Sequence, residues 1–146
     1  MILGVDHVGI ACTDIQRAIR RYEELFDLEL AKYEERPASG VLEAMLASRT
    51  DPSTMPGGRK SYVQLLQPTR GDTALARFLR LNGEGLQHVG YAVTSVASVL
   101  AHLRTKDVRV IPDMPDHGIF GQSIAFLEAS SIGGVLTELV EVATSA

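Results

Sequence analysis

Apolar residues recur at helical spacing in three stretches of the chain. The first runs from Ile15 to Phe26 and the second from Val96 to Leu103, with apolar side chains at i, i+3, i+4 and i+7. A shorter pattern over 72–82 ends at Asn82-Gly83, a pair that is typical of a helix stop. We therefore predict two amphipathic helices and a short linking helix between them. The caps predicted for the two longer helices are Thr13 or Asp14 and Thr94 or Ser95.

The segment that precedes each long helix occurs twice. Residues 6–15 read DHVGIACTDI and residues 87–96 read QHVGYAVTSV, so five of ten positions coincide at an offset of 81. Each copy leads into a helix and then into strand patterns, which predicts two tandem βαβββ modules. We expect an α+β fold in which a pseudo-twofold axis relates the modules within a curved mixed sheet. The strands are expected near 3–11, 28–36, 40–48 and 60–67, then near 86–93, 108–112, 122–128 and 134–142.

The length of 146 residues fits one domain built from these two modules. We predict a single domain over 1–146, with module 1 at about 1–68, the linking helix at about 72–82 and module 2 at about 86–142. Two segments rich in turn-forming residues, 49–60 and 112–121, are predicted to be loops.

Composition and charge exclude several classes of partner. The 14 basic and 18 acidic residues leave a net charge of −4, whereas nucleic-acid binding requires a basic surface. The amino terminus has no cationic lead, and no apolar run approaches the roughly 20 residues that span a bilayer. The single cysteine, Cys12, cannot form an internal disulfide. We expect a cytoplasmic protein without nucleic-acid or membrane partners.

Two pairs of polar residues coincide in the repeat. His7 and His88 occupy the same place in the first strands, and Gln64 and Glu138 correspond in the last strands. Polar side chains in buried strands require partners, so two histidines that meet across an axis suggest a shared ligand. The alternatives are two separate histidines, each bonded to backbone, and a solvent-facing position for Gln64 and Glu138.

Two imidazoles, one amide and one carboxylate suit a borderline divalent metal ion: Co, Ni, Zn, Mn or Fe. Four protein ligands leave two positions open on a six-coordinate ion, enough to chelate a bidentate oxygen substrate. Because only Glu138 carries a charge, the ion would retain a net charge of about +1. That charge favours an anionic ligand such as an enolate or a carboxylate.

The opening DHVGIA, GVLEAML at 40–46, YVQLLQP at 62–68, GEGLQHVGY at 83–91 and GVLTELVE at 134–141 carry a family resemblance. The chain resembles the vicinal oxygen chelate, or glyoxalase/dioxygenase, superfamily, and within it the methylmalonyl-CoA epimerases. The resemblance implies an isomerase that epimerises a 2-substituted malonyl thioester through an enolate. It implies the metal ligands His7, Gln64, His88 and Glu138, and Glu43 and Glu138 as the catalytic acid/base pair. It also implies a divalent metal (Co, Ni, Zn or Mn, with cobalt favoured) and a homodimer.

Two segments depart from the epimerase pattern. Glu128-Ala129-Ser130-Ser131 stands where these epimerases carry a His-Pro-Lys-Ser-like turn, and the loop over 113–118 is acidic instead of basic. Acidic groups there would repel the phosphates of coenzyme A, so the acyl thioester is expected on either coenzyme A or a carrier protein. Two other functions remain open: a glyoxalase-type lyase or isomerase, and a non-catalytic small-molecule binding protein of the same fold.

Overall fold

The computed structural model describes residues 1–50 and 60–144. The chain divides into two compact units, a first unit of residues 7–87 and a second unit of residues 1–6 with 88–146. The predicted loop over 49–60 has residues 51–59 outside the described residues. None of the described helices is both long enough and apolar enough to cross a bilayer.

The first unit contains the complete predicted βαβββ order. Its elements are β1 (Ile2–Ala11, shared with the second unit), α1 (Ile15–Phe26), β2 (Leu28–Arg36), β3 (Val41–Ser48), β4 (Tyr62–Pro68) and α2 (Ala74–Asn82). Its strands lie in the order β2-β3-β4-β1, with β1 parallel to β4 and the other pairs antiparallel. All four predicted strands are confirmed, with boundaries within two residues of those observed.

Local capping determines where the helices of this unit begin and end. Asp14, rather than Thr13, caps α1, because its carboxylate accepts a hydrogen bond from the backbone N–H of Arg17. Helix α2 ends at Asn82, and its C-cap Gly83 has a φ of +76°, as the Asn82-Gly83 pair predicts. Helix α1 buries Ile15 and Ile19 against a core that includes Leu46 and Leu65. Burying each such side chain stabilises the fold by about 1.5–3 kcal/mol.

The second unit repeats the module with one strand fewer. Its elements are β5 (Gly85–Val93, which begins in the first unit), α3 (Val96–Arg104, capped by Ser95), β6 (Ile124–Leu127) and β7 (Thr137–Glu141). The strands lie in the order β5-β7-β6, with β5 parallel to β7 and β6 antiparallel to β7. Val93, Val96 and Leu139 belong to the buried core of this unit.

The strand predicted over 108–112 is wrong. This segment forms only an isolated bridge between Val110 and Leu127. Pro112 has no N–H to donate to a ladder, and Asp113 has a φ of +58°, so pairing stops directly after the bridge. Positive φ values at Gly133 and Gly134 similarly delay the start of β7 to Thr137, three residues later than predicted.

Candidate metal and acid–base site

Strand register places His7 and Gln64 on one face of the sheet in the first unit. Gly9 on β1 is paired with Gln64 on β4, and His7 lies two residues before Gly9. Paired residues of neighbouring strands point to the same face, as do residues two apart along a strand. Both side chains are buried, so the solvent-facing position is wrong for Gln64. The glycine between them adds no side chain to this face.

The second unit repeats this arrangement and brings its two polar residues into contact. Gly90 is paired with Glu138, and His88 lies two residues before Gly90. His88 Nε2 lies 3.0 Å from Glu138 Oε2, and both side chains are buried. The ring of Phe126, the residue paired with Glu138 on β6, meets the imidazole edge-on at 5.7 Å. Glu138 is therefore not solvent-facing, and His88 has a carboxylate partner.

The amide oxygen of Gln64 is an orphaned polar atom. It is buried, and within the described parts of the chain no group donates a hydrogen bond to it. Leaving such an acceptor unsatisfied costs about 1–3 kcal/mol. An amide oxygen is also a good ligand for a divalent cation. The position of Gln64 on the same face as His7 therefore fits a metal ligand better than a structural role.

Glu43 lies on the same face as His7 and Gln64. Met45 on β3 is paired with Gln64, and Glu43 lies two residues before Met45. Its side chain is buried and does not face solvent. Glu43 Oε2 lies 3.8 Å from Nη1 of Arg36 at the end of β2. Sequence reasoning missed Arg36, although the alternation of charged residues along β2 could have drawn attention to it.

Cys12 is a buried neutral thiol rather than a ligand. Burial raises its pKa to about 11, with a smaller contribution from the negative charge of Glu84. Its Sγ donates a hydrogen bond to the carbonyl oxygen of Leu66 at 3.4 Å. The thiol therefore stays protonated at neutral pH, which agrees with a donor set without thiolate.

The acidic turn after β6 carries a cation of its own. The guanidinium of Arg109 pairs with the carboxylate of Glu128, and Arg109 Nη2 donates to Ser130 Oγ at 3.0 Å. In the preceding loop, His117 Nδ1 lies 2.7 Å from Asp116 Oδ1. Glu128 is therefore locally neutralised by Arg109, whereas the loop over 113–118 keeps its exposed acidic residues.

Residues 6–126 match the family model of the Glyoxalase/Bleomycin resistance protein/Dioxygenase superfamily. The chain belongs to this superfamily. Among solved superfamily structures, a variant of methylmalonyl-CoA epimerase from Streptomyces coelicolor is 38% identical, with a TM-score of 0.88 over 98% of this chain and 99% of that one. The Mycobacterium tuberculosis methylmalonyl-CoA epimerase is 32% identical, with a TM-score of 0.85 over 97% of this chain and 89% of that one. The ethylmalonyl-CoA/methylmalonyl-CoA epimerase of Cereibacter sphaeroides is 27% identical over 97% of this chain and all of its own length.

These likenesses confirm the superfamily, the fold class and the resemblance to methylmalonyl-CoA epimerases. The protein is an isomerase of the methylmalonyl-CoA epimerase type. The Streptomyces coelicolor structure is a complex with 2-nitronate-propionyl-CoA.

Proposed function

We propose that this protein is a metal-dependent epimerase of a 2-substituted malonyl thioester of the methylmalonyl-CoA type. The observation that carries the proposal is the same arrangement in both units: a buried first-strand histidine shares a strand face with a buried last-strand acceptor. The likeness to solved methylmalonyl-CoA epimerases, one of them bound to an acyl-CoA analogue, supports the choice of reaction and substrate.

The donors fit a divalent metal ion. His7, His88 and Glu138 make up a group that could hold one, and the unsatisfied amide oxygen of Gln64 adds a fourth donor. Two neutral nitrogens, one neutral oxygen and one carboxylate suit Co, Ni, Zn or Mn, with cobalt favoured by the family resemblance. When bound, the ion would supply positive charge for the substrate carboxylate and for the negative charge that develops on the thioester oxygen.

The chain's own residues would move the proton. In a change of configuration, one base removes the α-proton from one face and an acid returns a proton to the other face. The electron pair of the broken C–H bond moves into the thioester carbonyl, and then returns to the carbon as the new C–H bond forms. We assign these roles to Glu43 and Glu138, and the stereoisomer that enters decides which of them removes the proton.

The burial of these residues suits this work. Glu43 and Glu138 are 8% and 5% exposed, so little water competes for the proton or screens the charges around them. The acyl carrier remains a choice between coenzyme A and a carrier protein. Arg109 supplies a cation beside Glu128, whereas the loop over 113–118 is acidic. As in the family, we expect the enzyme to be a homodimer.

The experiment that tests the proposal follows the α-proton. The metal-free protein is titrated with Co²⁺ or Zn²⁺, and α-deuterium exchange and inversion are measured on methylmalonyl-CoA and on a carrier-bound analogue. Metal-dependent exchange with inversion on either thioester supports the proposal, and the preferred thioester identifies the carrier. Turnover of a hemithioacetal without α-exchange on the malonyl thioesters would instead indicate a glyoxalase-type enzyme. Binding without either reaction would indicate a non-catalytic protein.

A further inference from the structure

Edge strand β2 presents a row of charged side chains on the face that carries Glu43. In the pairing of β2 with β3, Lys32 is opposite Met45, Glu34 is opposite Glu43 and Arg36 is opposite Val41. The three charged residues are two apart, and their partners share the face of Glu43 and Gln64. A bulge between Leu30 and Lys32 sets this register. If regular pairing continued from Leu30 opposite Leu46 without this bulge, Lys32 would pair with Ala44, and these side chains would point to the opposite face.

Glu43 therefore lies between a like charge and an opposite charge. Glu34 on β2 is directly opposite Glu43 on β3. Like charges in directly opposite positions repel each other, which disfavours a carboxylate at Glu43. Arg36 offsets that repulsion with its Nη1 at 3.8 Å from Glu43 Oε2. From β4, the neighbours on this face are the apolar Leu66 and the neutral Gln64. The side chains of Arg36 and Glu43 are 21% and 11% exposed, so solvent screens the pair only in part.

The backbone of Arg36 is held from both sides of a tight turn. Its carbonyl accepts a hydrogen bond from Gly40 N at 2.9 Å, and Gly40 has a left-handed φ of +66°. Arg70 donates to the carbonyl of Pro37 at 2.8 Å, and Thr69 N donates to that of Gly40 at 2.8 Å. A side chain at Gly40 would collide with Thr73 and Arg70. The guanidinium of Arg36 thus extends from a fixed point toward Glu43.

We propose that Arg36 is the positioning residue of Glu43, and that its guanidinium keeps the Glu43 side chain a carboxylate and fixes its orientation on the shared face. This inference rests on the proposed function, in which Glu43 is one of two bases. Arg36 acts through Glu43 and takes no part in the proton transfer at Glu138. Its removal must therefore affect the two faces of the substrate differently.

The test is Arg36→Met, with Arg36→Lys as the variant that retains a cation and Arg77→Met as the matched control on the exposed face of α2. Arg36→Met should slow interconversion of the stereoisomers about 10-fold to 10²-fold, the loss expected for a displaced catalytic group. The substitution leaves the equilibrium constant between the two stereoisomers unchanged, so the rates of interconversion in both directions should fall by the same factor. For the stereoisomer whose α-proton faces Glu138, the rate of α-exchange without inversion should change less than about twofold. Arg36 acts only through Glu43, so proton transfer at Glu138 is unaffected. Arg36→Lys should restore most of the rate, and Arg77→Met should match wild type.

A second measurement does not depend on the substrate. NMR titration of a ¹³C-labelled Glu43 carboxyl should move its midpoint up by about one pH unit in Arg36→Met and not in Arg77→Met, because a nearby cation favours the charged form. An unchanged midpoint, or an equal loss of exchange on both faces that Lys does not rescue, would overturn the role of Arg36. If Arg36→Met does not fold, Arg36→Gln takes its place in both measurements. If the wild-type protein shows no α-exchange, the proposed function is contradicted. The midpoint of the Glu43 titration would still test whether Arg36 and Glu43 are paired.

Discussion

Gln67 and Glu141 make the same hydrogen bond in the two units. Gln67 Oε1 accepts from the backbone N–H of Ile15 at 2.8 Å, and Glu141 Oε2 accepts from that of Val96 at 2.8 Å. Each acceptor lies three residues after a proposed ligand, Gln64 or Glu138, and therefore on the opposite face of its strand. The last strand of each unit thus offers a ligand on one face and holds the first turn of its own helix with the other.

These long-range caps should contribute to stability. Gln67→Ala and Glu141→Ala should each lower the free energy of unfolding by about 1 kcal/mol, the usual loss when a helix N–H loses its side-chain acceptor. Urea denaturation followed by circular dichroism measures the change. Gln16→Ala, on the exposed face of α1, is the control and should leave stability nearly unchanged. Wild-type stability in both cap variants would show that water replaces these acceptors without cost.

Metal binding should depend on both repeat-related histidines. We expect about one divalent ion per chain, and His7→Ala or His88→Ala should abolish stoichiometric binding because each removes an imidazole donor. Metal content after reconstitution and dialysis measures this. His102→Ala, an exposed histidine on α3, should retain full occupancy. Full occupancy in a His7→Ala/His88→Ala double variant would eliminate the proposed site.

The absence of a charge on Gln64 should affect the rate of α-proton exchange. Gln64→Glu replaces a neutral donor with a carboxylate, which should tighten metal binding but reduce by one unit the positive charge available to the enolate. We expect slower α-proton exchange with a lower metal dissociation constant, and isothermal titration and deuterium exchange measure the two effects. Gln16→Glu adds the same charge at an exposed position and should change neither. An unchanged exchange rate with tighter metal binding would refute the charge argument.

Glu43→Gln should separate inversion from exchange. If Glu43 and Glu138 act on opposite faces, this variant should stop interconversion, since a lost general base costs on the order of 10²–10⁴ in rate. One stereoisomer should keep α-exchange through Glu138, and the other should be inert. Chiral analysis of recovered substrate, together with its deuterium content, distinguishes these outcomes.

Glutamine is nearly isosteric with glutamate, so metal content and folding of this variant serve as internal controls. Interconversion at the wild-type rate would show that Glu43 takes no part in the reaction. Equal loss of exchange from both stereoisomers, with metal retained, would indicate that Glu43 positions the substrate.

Features that depend on residues close together in the sequence can be predicted without the structure. The helices follow from the period of their apolar residues. The sequence limits each N-cap to two adjacent residues, because a cap side chain bonds a backbone N–H within three positions. The repeat predicts that His7 and His88 occupy equivalent positions in the two units, because duplicated segments form the same strands. The prediction of a strand over 108–112 is wrong, because apolar content alone does not show where a proline and a left-handed residue end the pairing between strands.

The repeated module, its helices and the residue types offered as ligands follow from the amino-acid sequence alone. Which distant groups meet is established by the fold: the contact of Arg36 with Glu43 depends on a bulge and on strand register. The caps from Gln67 and Glu141 join residues 52 and 45 positions apart. Periodicity assigns a residue to a face of its own strand, whereas register between strands decides which side chains on that face are neighbours.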